Sequence, residues 1–177
     1  MRIIGGSRRG KKLKFPDTMR PTRDFVKEAL FNIIGSCKDL VIMDVCAGSG
    51  ALGIEALSRG AKKVIFIEKD PHHCQIIQEN LEGFDATRYE IICQPFEKTS
   101  FLKNTIVDII FFDPPYDDHN AYQAIVQMLW TGQCLIIESN AHDLHLDQNH
   151  IYELKDTRKY GTTYLYFFKK KIKTTLN

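Results

Sequence analysis

Apolar positions along the chain change period several times, and the changes mark out strands alternating with helices. Val41–Val45 is a short, mostly apolar run bounded by polar and glycine-rich segments, which predicts a buried strand. Val64–Glu68, Tyr89–Cys93, Val107–Phe112 and Leu135–Glu138 predict strands in the same way. Between them the spacing turns helical. Phe25, Ala29, Leu30, Ile33 and Ile34 recur on a helical period, with Thr22 as the candidate N-cap and Gly35 as the stop. Ala51–Arg59 predicts a helix closed by Gly60, and Tyr122–Trp130 another. Asp70-Pro71 pairs an N-cap with a proline at the first helical position, opening a helix to about Glu82. Ile151–Lys159 and Thr162–Phe168 flank Gly161 and predict a hairpin. Strands that are apolar almost throughout belong to parallel sheets covered on both faces. The alternation therefore predicts a doubly wound α/β sheet with helices on both faces, ending in antiparallel strands.

The 177 residues suffice for one domain with a core, and neither a repeat nor a low-complexity linker divides them. One domain over 1–177 is expected, with an arm at 1–20 folded as a short hairpin: Ile3-Ile4, then Gly5-Gly6, then Arg8-Arg9-Gly10. No apolar run approaches the ~20 residues of a membrane span, and the first residues hold no secretory apolar core. A cytoplasmic, monomeric protein is expected. Five cysteines, none in a C-x-x-C pair, suit free thiols in a reducing compartment. His142 and His145 stand three apart in a polar stretch and are expected to be solvated; no metal is expected.

Charge is unevenly distributed. Residues 1–27 carry nine Lys or Arg against two acids, a net +7 in a chain whose total is +2. Lys169, Lys170, Lys171 and Lys173 add a second basic cluster. A basic arm on an acidic body suits a polyanion, because neutralised phosphates drive nucleic-acid affinity. Arg8, Arg9, Lys11, Lys12 and Arg20 are the candidate contacts.

Two stretches carry chemistry. The first, Asp44-Val45-Cys46-Ala47-Gly48-Ser49-Gly50-Ala51-Leu52-Gly53, leaves a strand and enters a helix. Gly48, Gly50 and Gly53 permit a tight turn and close approach of backbone to a ligand. Glu68 ends the next strand 20 residues after Gly48, where a carboxylate can accept from both hydroxyls of an adenosine ribose. The same pattern serves NAD-binding oxidoreductases, which remain the rival class. Asp44 argues against them: its charge is awkward beside a pyrophosphate and suited to the cationic methionyl end of S-adenosylmethionine (SAM). Cys46 has no base beside it in the sequence and is not expected to be a nucleophile.

The second stretch is Phe111-Phe112-Asp113-Pro114-Pro115-Tyr116, whose prolines end the strand and stiffen the turn. Ligands of such sheets sit beyond the carboxyl ends of the strands, so Asp113 and the glycine loop should face one crevice. An exocyclic base amine is a poor nucleophile because its lone pair is delocalised into the ring. Acceptors for its two N–H groups, the Asp113 carboxylate and the Pro114 carbonyl, would favour a pyramidal nitrogen. Such positioning removes roughly 7–11 kcal/mol of barrier in the best intramolecular cases. Tyr116 offers a face for the base, worth about 1–3 kcal/mol, and Pro115 is assigned to the same substrate. The base must first leave its stack.

Asp-x-x-Ala-Gly-Ser-Gly with a downstream Glu, followed by Asp-Pro-Pro-Tyr, resembles the class I SAM-dependent amino-methyltransferases. Arg2-Ile3-Ile4-Gly5-Gly6, Arg20-Pro21-Thr22, Leu30-Phe31-Asn32 and the long block Ala47–Gly60 are similar to the small-subunit ribosomal RNA methyltransferase D family. That resemblance implies N2 methylation of one guanine in 16S rRNA within the small ribosomal subunit, and a seven-stranded sheet whose last strand is antiparallel. It implies that Asp44, Gly48 and Gly50 line the methionine side of SAM, that Glu68 binds its ribose, and that Ala47 also contacts the cofactor. Gln94-Pro95-Phe96 would flank the adenine, where many relatives carry a small or acidic polar residue; Phe96 either stacks there or packs in the core. The Arg20-Pro21-Thr22 turn either closes over SAM or touches RNA. Adenine-N6 methylation of RNA or DNA is the nearest alternative, since Asp-Pro-Pro-Tyr serves adenine too. A non-catalytic ribosome-assembly factor is the remaining one.

Overall fold

Five strands form parallel pairs, and those in the middle are near-continuous apolar runs that can be covered on both faces. The computed structural model of the protein describes residues 1–16, 24–102, 105–127, 131–142, 144 and 151–171. In chain order these contain α1 (Asp24–Ile34), β1 (Val41–Val45), α2 (Ala51–Ser58), β2 (Lys63–Glu68), α3 (Pro71–Asn80) and β3 (Tyr89–Cys93). They continue with β4 (Ile106–Phe112), α4 (His119–Gln127), β5 (Thr131–Ser139), β6 (Tyr152–Tyr160) and β7 (Thr163–Lys170). The sheet order is β3-β2-β1-β4-β5-β7-β6. The β1 to β5 pairs are parallel, and β7 runs antiparallel to both β5 and β6. The chain moves outward from β1 to β3 and then returns to lay β4 beside β1. That reversal opens the crevice in which such sheets bind ligands.

Side chains alternate between two cores. Ile42, Phe66, Phe111 and Ile136 face a cluster shared with α1, α2 and α3, while Met43, Ile67, Phe112 and Ile137 face one shared with α4 and Phe96. The terminal hairpin closes through Gly161 at φ 63° and Thr162, a two-residue connection whose first residue needs a left-handed backbone. Among the described residues no helix is long and apolar enough to cross a membrane.

Three expectations need correction. β5 begins at Thr131, four residues before Leu135. Gly132 lies so close to β4 that a Cβ there would stand 2.7 Å from Ile110 Cδ1, and pairing with β4 outweighs the poor strand propensity of the glycine. α4 starts at His119 rather than Tyr122, and its expected end at Trp130 lies outside the described residues. The buried face of α1 is Val26, Lys27, Leu30 and Phe31, whereas Phe25 and Ile33 are exposed. A lysine belongs to that face because it has a buried partner. Lys27 Nζ lies 3.4 Å from Glu55 and donates to the Arg2 carbonyl at 2.7 Å. The candidate N-cap Thr22 lies outside the described residues, as does His145.

Glu55 is the centre of this arrangement. Every residue of α2 is buried, and the Glu55 carboxylate also accepts from the backbone N–H groups of Ile4 and Gly5 at 2.9 and 2.8 Å and from Arg59 Nε at 2.8 Å. The N-terminal arm is thereby tied to α2. It folds back on itself, with Ile3 N–H donating to Lys11 O at 2.9 Å and Arg2 bridging Lys12 antiparallel, so that Ile3 and Leu13 are buried. Removing one member of a buried charge pair strands the other, which costs about 3–5 kcal/mol. Glu55→Ala is expected to lower unfolding stability in urea by that amount, and the double change Lys27→Met with Glu55→Gln by much less. A single mutant with an unchanged midpoint would show that the arm is held by other contacts.

Candidate active site

The glycine loop after β1 is shaped by two carboxylates. Asp44, 2% exposed, accepts from Gly53 N–H at 2.8 Å and so anchors the first turn of α2 to the strand. Glu68, at the end of β2, accepts from Gly48 N–H at 2.7 Å and from Asp70 N–H at 3.0 Å. Between these anchors Gly50 stands at φ 75°, the left-handed region that lets its carbonyl receive Ile54 N–H at 2.9 Å. Gly53 is required for packing instead: a Cβ there would lie 2.3 Å from the Phe66 ring. Asn80, at the end of α3, completes the loop. Its Nδ2 donates to the carbonyls of Ser49 and Lys14, both at 3.0 Å, and its Oδ1 accepts from Lys14 N–H at 2.7 Å. The arm therefore reaches the glycine loop through a single buried amide.

β4 delivers the second stretch to the same edge. Phe111 and Phe112 pair with Asp44 and Val45 of β1, and Asp113 N–H donates to Val45 O at 3.4 Å. Pro114 is buried, Pro115 is exposed and Tyr116 is half-buried. The charges of both Glu68 and Asp113 act on the Cys46 thiol, which places the loop, the β2 carboxylate and the β4 turn around one point. Burial and those two charges push the Cys46 thiol up, so it stays protonated and cannot serve as a nucleophile.

Burial raises Asp44 to about 7 against the opposing Gly53 N–H bond, with the Glu68 charge adding to the rise. Glu138, at the end of β5, is also raised by burial to about 7, opposed by a hydrogen bond from Tyr116. Tyr116 OH donates to Glu138 Oε1 at 3.2 Å, and burial pushes the Tyr116 hydroxyl up as well. Glu138 was read only as the end of a strand; an acid at a strand terminus beside the Asp-Pro-Pro-Tyr turn was the available signal. Asn80 and Glu55 gave no signal, since each works by distant backbone contacts.

The structure gathers Asp44, Ala47, Gly48, Gly50, Glu68, Asp113, Pro114 and Tyr116 at the carboxyl edge of the sheet. It places the Phe96 ring elsewhere, in the core, edge-on to Phe112 at 5.5 Å and 5% exposed. Arg8 and Lys11 are engaged with the body of the protein. Arg8 donates to Gly83 O and lies over the Phe84 ring, while Lys11 Nζ donates to Asn80 O at 2.8 Å and Glu82 O at 2.5 Å. Both cations thus satisfy carbonyls at the carboxyl end of α3, where the helix dipole favours positive charge. Arg9 and Lys12 are exposed. Arg20, Pro21 and Thr22 lie outside the described residues. All five cysteines are free, and no group of three or more metal-ligating side chains occurs among the described residues.

A seven-stranded sheet with a reversed final strand, a glycine loop after β1 and an acid at the end of β2 is the Rossmann-like fold of the class I methyltransferases. The Escherichia coli protein yhhF, titled provisionally as a methyltransferase, superposes with a TM-score of 0.81 at 31% identity, over 96% of this chain and 97% of that one. The chain belongs to the family described as conserved hypothetical protein 95, whose model matches residues 1–169. It is 34% identical to YlbH of Bacillus subtilis, named provisionally as an rRNA methyltransferase, over 97% of this chain and all of that protein. It is 43% identical to ribosomal RNA small subunit methyltransferase D of Escherichia coli over 66% of this chain and 60% of that protein. The resemblance read from the motifs is thus met at the level of the family.

Because Asp44 and Glu138 titrate near 7, the native protein keeps protons that an unfolded carboxyl releases near pH 4. Their stabilising contribution is complete below that lower value and is lost as pH rises through about 7. Asp44→Asn keeps an oxygen for Gly53 N–H but cannot titrate. It is expected to flatten the fall of Tm between about pH 4 and 7; a slope equal to that of the parent protein would locate the titration elsewhere.

Proposed function

We propose that the protein methylates the exocyclic N2 amine of a guanine in 16S rRNA within the small ribosomal subunit, using SAM. The observation that carries the reading is the convergence of Glu68, the glycine loop and Asp113 around Cys46 at the β1/β4 switch point. The names of YlbH and of ribosomal RNA small subunit methyltransferase D support ribosomal RNA as the substrate class.

The residues present suit SAM. Each oxygen of Glu68 accepts one backbone N–H and keeps a second lone pair, so the carboxylate can still receive two ribose hydroxyls. Asp44, Ala47, Gly48 and Gly50 form the side toward the methionine, where negative charge complements a sulfonium. When bound, SAM supplies an electrophilic methyl group. Asp113 and the Pro114 carbonyl bind the amine N–H groups and turn its lone pair out of the ring plane, and the Tyr116 ring supports the base. Phe96, with its ring in the core, contributes to the adenine side through the position of its backbone. The expelled proton goes to Asp113 or to solvent once the nitrogen is methylated.

The direct test is methyl transfer from radiolabelled SAM to small subunits from a strain lacking the endogenous activity, with digestion to nucleosides. Label in N2-methylguanosine is expected; label confined to another nucleoside would overturn the target. Asp113→Ala is expected to lower turnover by at least about a hundredfold while SAM affinity persists, since misplacement of the reacting amine alone costs that much. Near-parental turnover would remove Asp113 from the role. For the RNA surface we assign Arg8, Arg9, Lys11, Lys12 and Arg20. Arg9 and Lys12, being exposed, give the clean experiment: each neutralisation should weaken RNA binding and reduce its salt slope by about 0.7–0.9. An unaltered slope would place the phosphate contacts elsewhere.

A further inference from the structure

Asp-Pro-Pro-Tyr presents acceptors to an amine and does not by itself choose between guanine and adenine. The neighbouring strand carries a group that does. Phe111 and Phe112 of β4 are partners of Ile136 and Ile137 of β5, and the register carried one step past the end of β4 brings the Asp113 position opposite Glu138. Phe111 and Ile136 face the same core, and alternation puts Glu138 on that side, as it would Asp113 if the pleat of β4 continued one residue further. Adjacent strands lie about 4.8 Å apart, close to the spacing at which two carboxylates can hold neighbouring groups of one base edge.

Glu138 is 6% exposed, and its position is fixed from two directions: Tyr116 OH donates to Oε1 at 3.2 Å and Tyr122 OH to its backbone carbonyl at 3.4 Å. Its other oxygen, Oε2, is buried and has no hydrogen-bond partner among the described residues. Buried acceptors are nearly always paired, so an orphan beside a reactive turn points to a donor brought by a ligand. The Tyr116 that holds Oε1 belongs to the turn that presents Asp113, so carboxylate and turn are positioned together.

Resting on the function proposed above, we infer that Glu138 is the specificity-determining residue that accepts the N1–H of the target guanine through Oε2. On the Watson–Crick edge of guanine the N1–H is adjacent to the N2 amine, so seating the amine on Asp113 and Pro114 brings N1–H toward the neighbouring strand. Adenine presents a lone pair at N1. A carboxylate facing that lone pair would repel it and be left unpaired, the condition under which sites built for a hydrogen bond reject analogues most strongly.

2-Aminopurine separates the two contacts, because it keeps the N2 amine and lacks N1–H. The experiment compares kcat/KM on small subunits reconstituted with 16S rRNA carrying guanine or 2-aminopurine at the position the parent protein labels. Assays run at pH 8, above the value near 7 at which Glu138 titrates. The parent protein is expected to prefer guanine by at least about a hundredfold. In Glu138→Gln the amide can accept from N1–H or donate to a bare N1, so the preference should shrink by at least about tenfold. The ratio is taken within one protein preparation, so a partly folded variant does not distort it. Glu138→Ala, which removes the acceptor, predicts the same narrowing if the Gln variant does not fold. A parent ratio near one, or a ratio unchanged in the variants while N2-methylguanosine still forms, overturns the role of Glu138 alone. Label in N6-methyladenosine, or none in N2-methylguanosine, overturns the underlying reading and this inference with it.

Discussion

Glu55 carries a carboxylate into the middle of a helix with no exposed face, and the N-terminal third of the molecule is organised by what that charge requires. Burying an anion is costly unless it is paired and hydrogen-bonded. Here the compensation comes from Lys27 of α1, from Arg59 one turn further along α2, and from two backbone N–H groups of the arm. The same lysine closes the circuit by donating to the Arg2 carbonyl. Burial pulls the Lys27 ammonium below its usual range, and the charges of Glu55 and Asp24 oppose that pull. A hydrophobic replacement could fill the space, but it would not align the arm, since only an acceptor fixes the Ile4 and Gly5 N–H groups.

The carboxyl edge of the sheet obeys the same constraint with the opposite outcome. Asp44, Glu68, Asp113 and Glu138 stand at the ends of β1, β2, β4 and β5, and the parallel register brings them to one side. Glu68 and Asp44 each accept a backbone N–H, at the start and the end of the loop, and so give the glycine loop its shape. The His73 ring stands 3.8 Å from Glu68, and among the described residues no lysine or arginine pairs with either acid. The cost appears as raised carboxyl values for Asp44 and Glu138, and a cationic cofactor together with a donor-rich base edge would relieve it. The site is therefore electrostatically prepared for positive charge and N–H donors, which is why the same geometry is poorly suited to a pyrophosphate.

The sheet and the loops at its carboxyl edge were legible because they rest on local patterns. β1 and β3 have the expected bounds, and Asp70 caps α3 as its pairing with Pro71 predicted, accepting from His72 N–H at 2.8 Å. The glycine loop and the Asp-Pro-Pro-Tyr turn were readable because each joins a strand end to a specific backbone requirement. What escaped were long-range polar contacts. Hydropathy assigned α1 a face containing Phe25 and Ile33, because nothing local announces that Lys27 will meet Glu55. Phe96 was ambiguous for a related reason: a ring beside a binding loop can face ligand or core, and only the neighbouring Phe112 decides. β5 began early because pairing with β4, not propensity, determines where it starts.

The arm shows how one set of charges can serve folding and recognition. As a sequence it is a basic tail, and a free tail would lose conformational entropy each time it met RNA. In the structure that cost is met on folding. Lys11 and Arg8 bind the carbonyls ending α3, Asn80 joins Lys14 to the glycine loop, and Glu55 holds Ile4 and Gly5. Arg9 and Lys12 are then presented from a docked hairpin rather than from a loose chain. The buried amide of Asn80 touches the loop on one side and the arm on the other, so a shift of the arm must be felt at Ser49. In this fold the basic arm and the glycine loop are consequently parts of one packed unit.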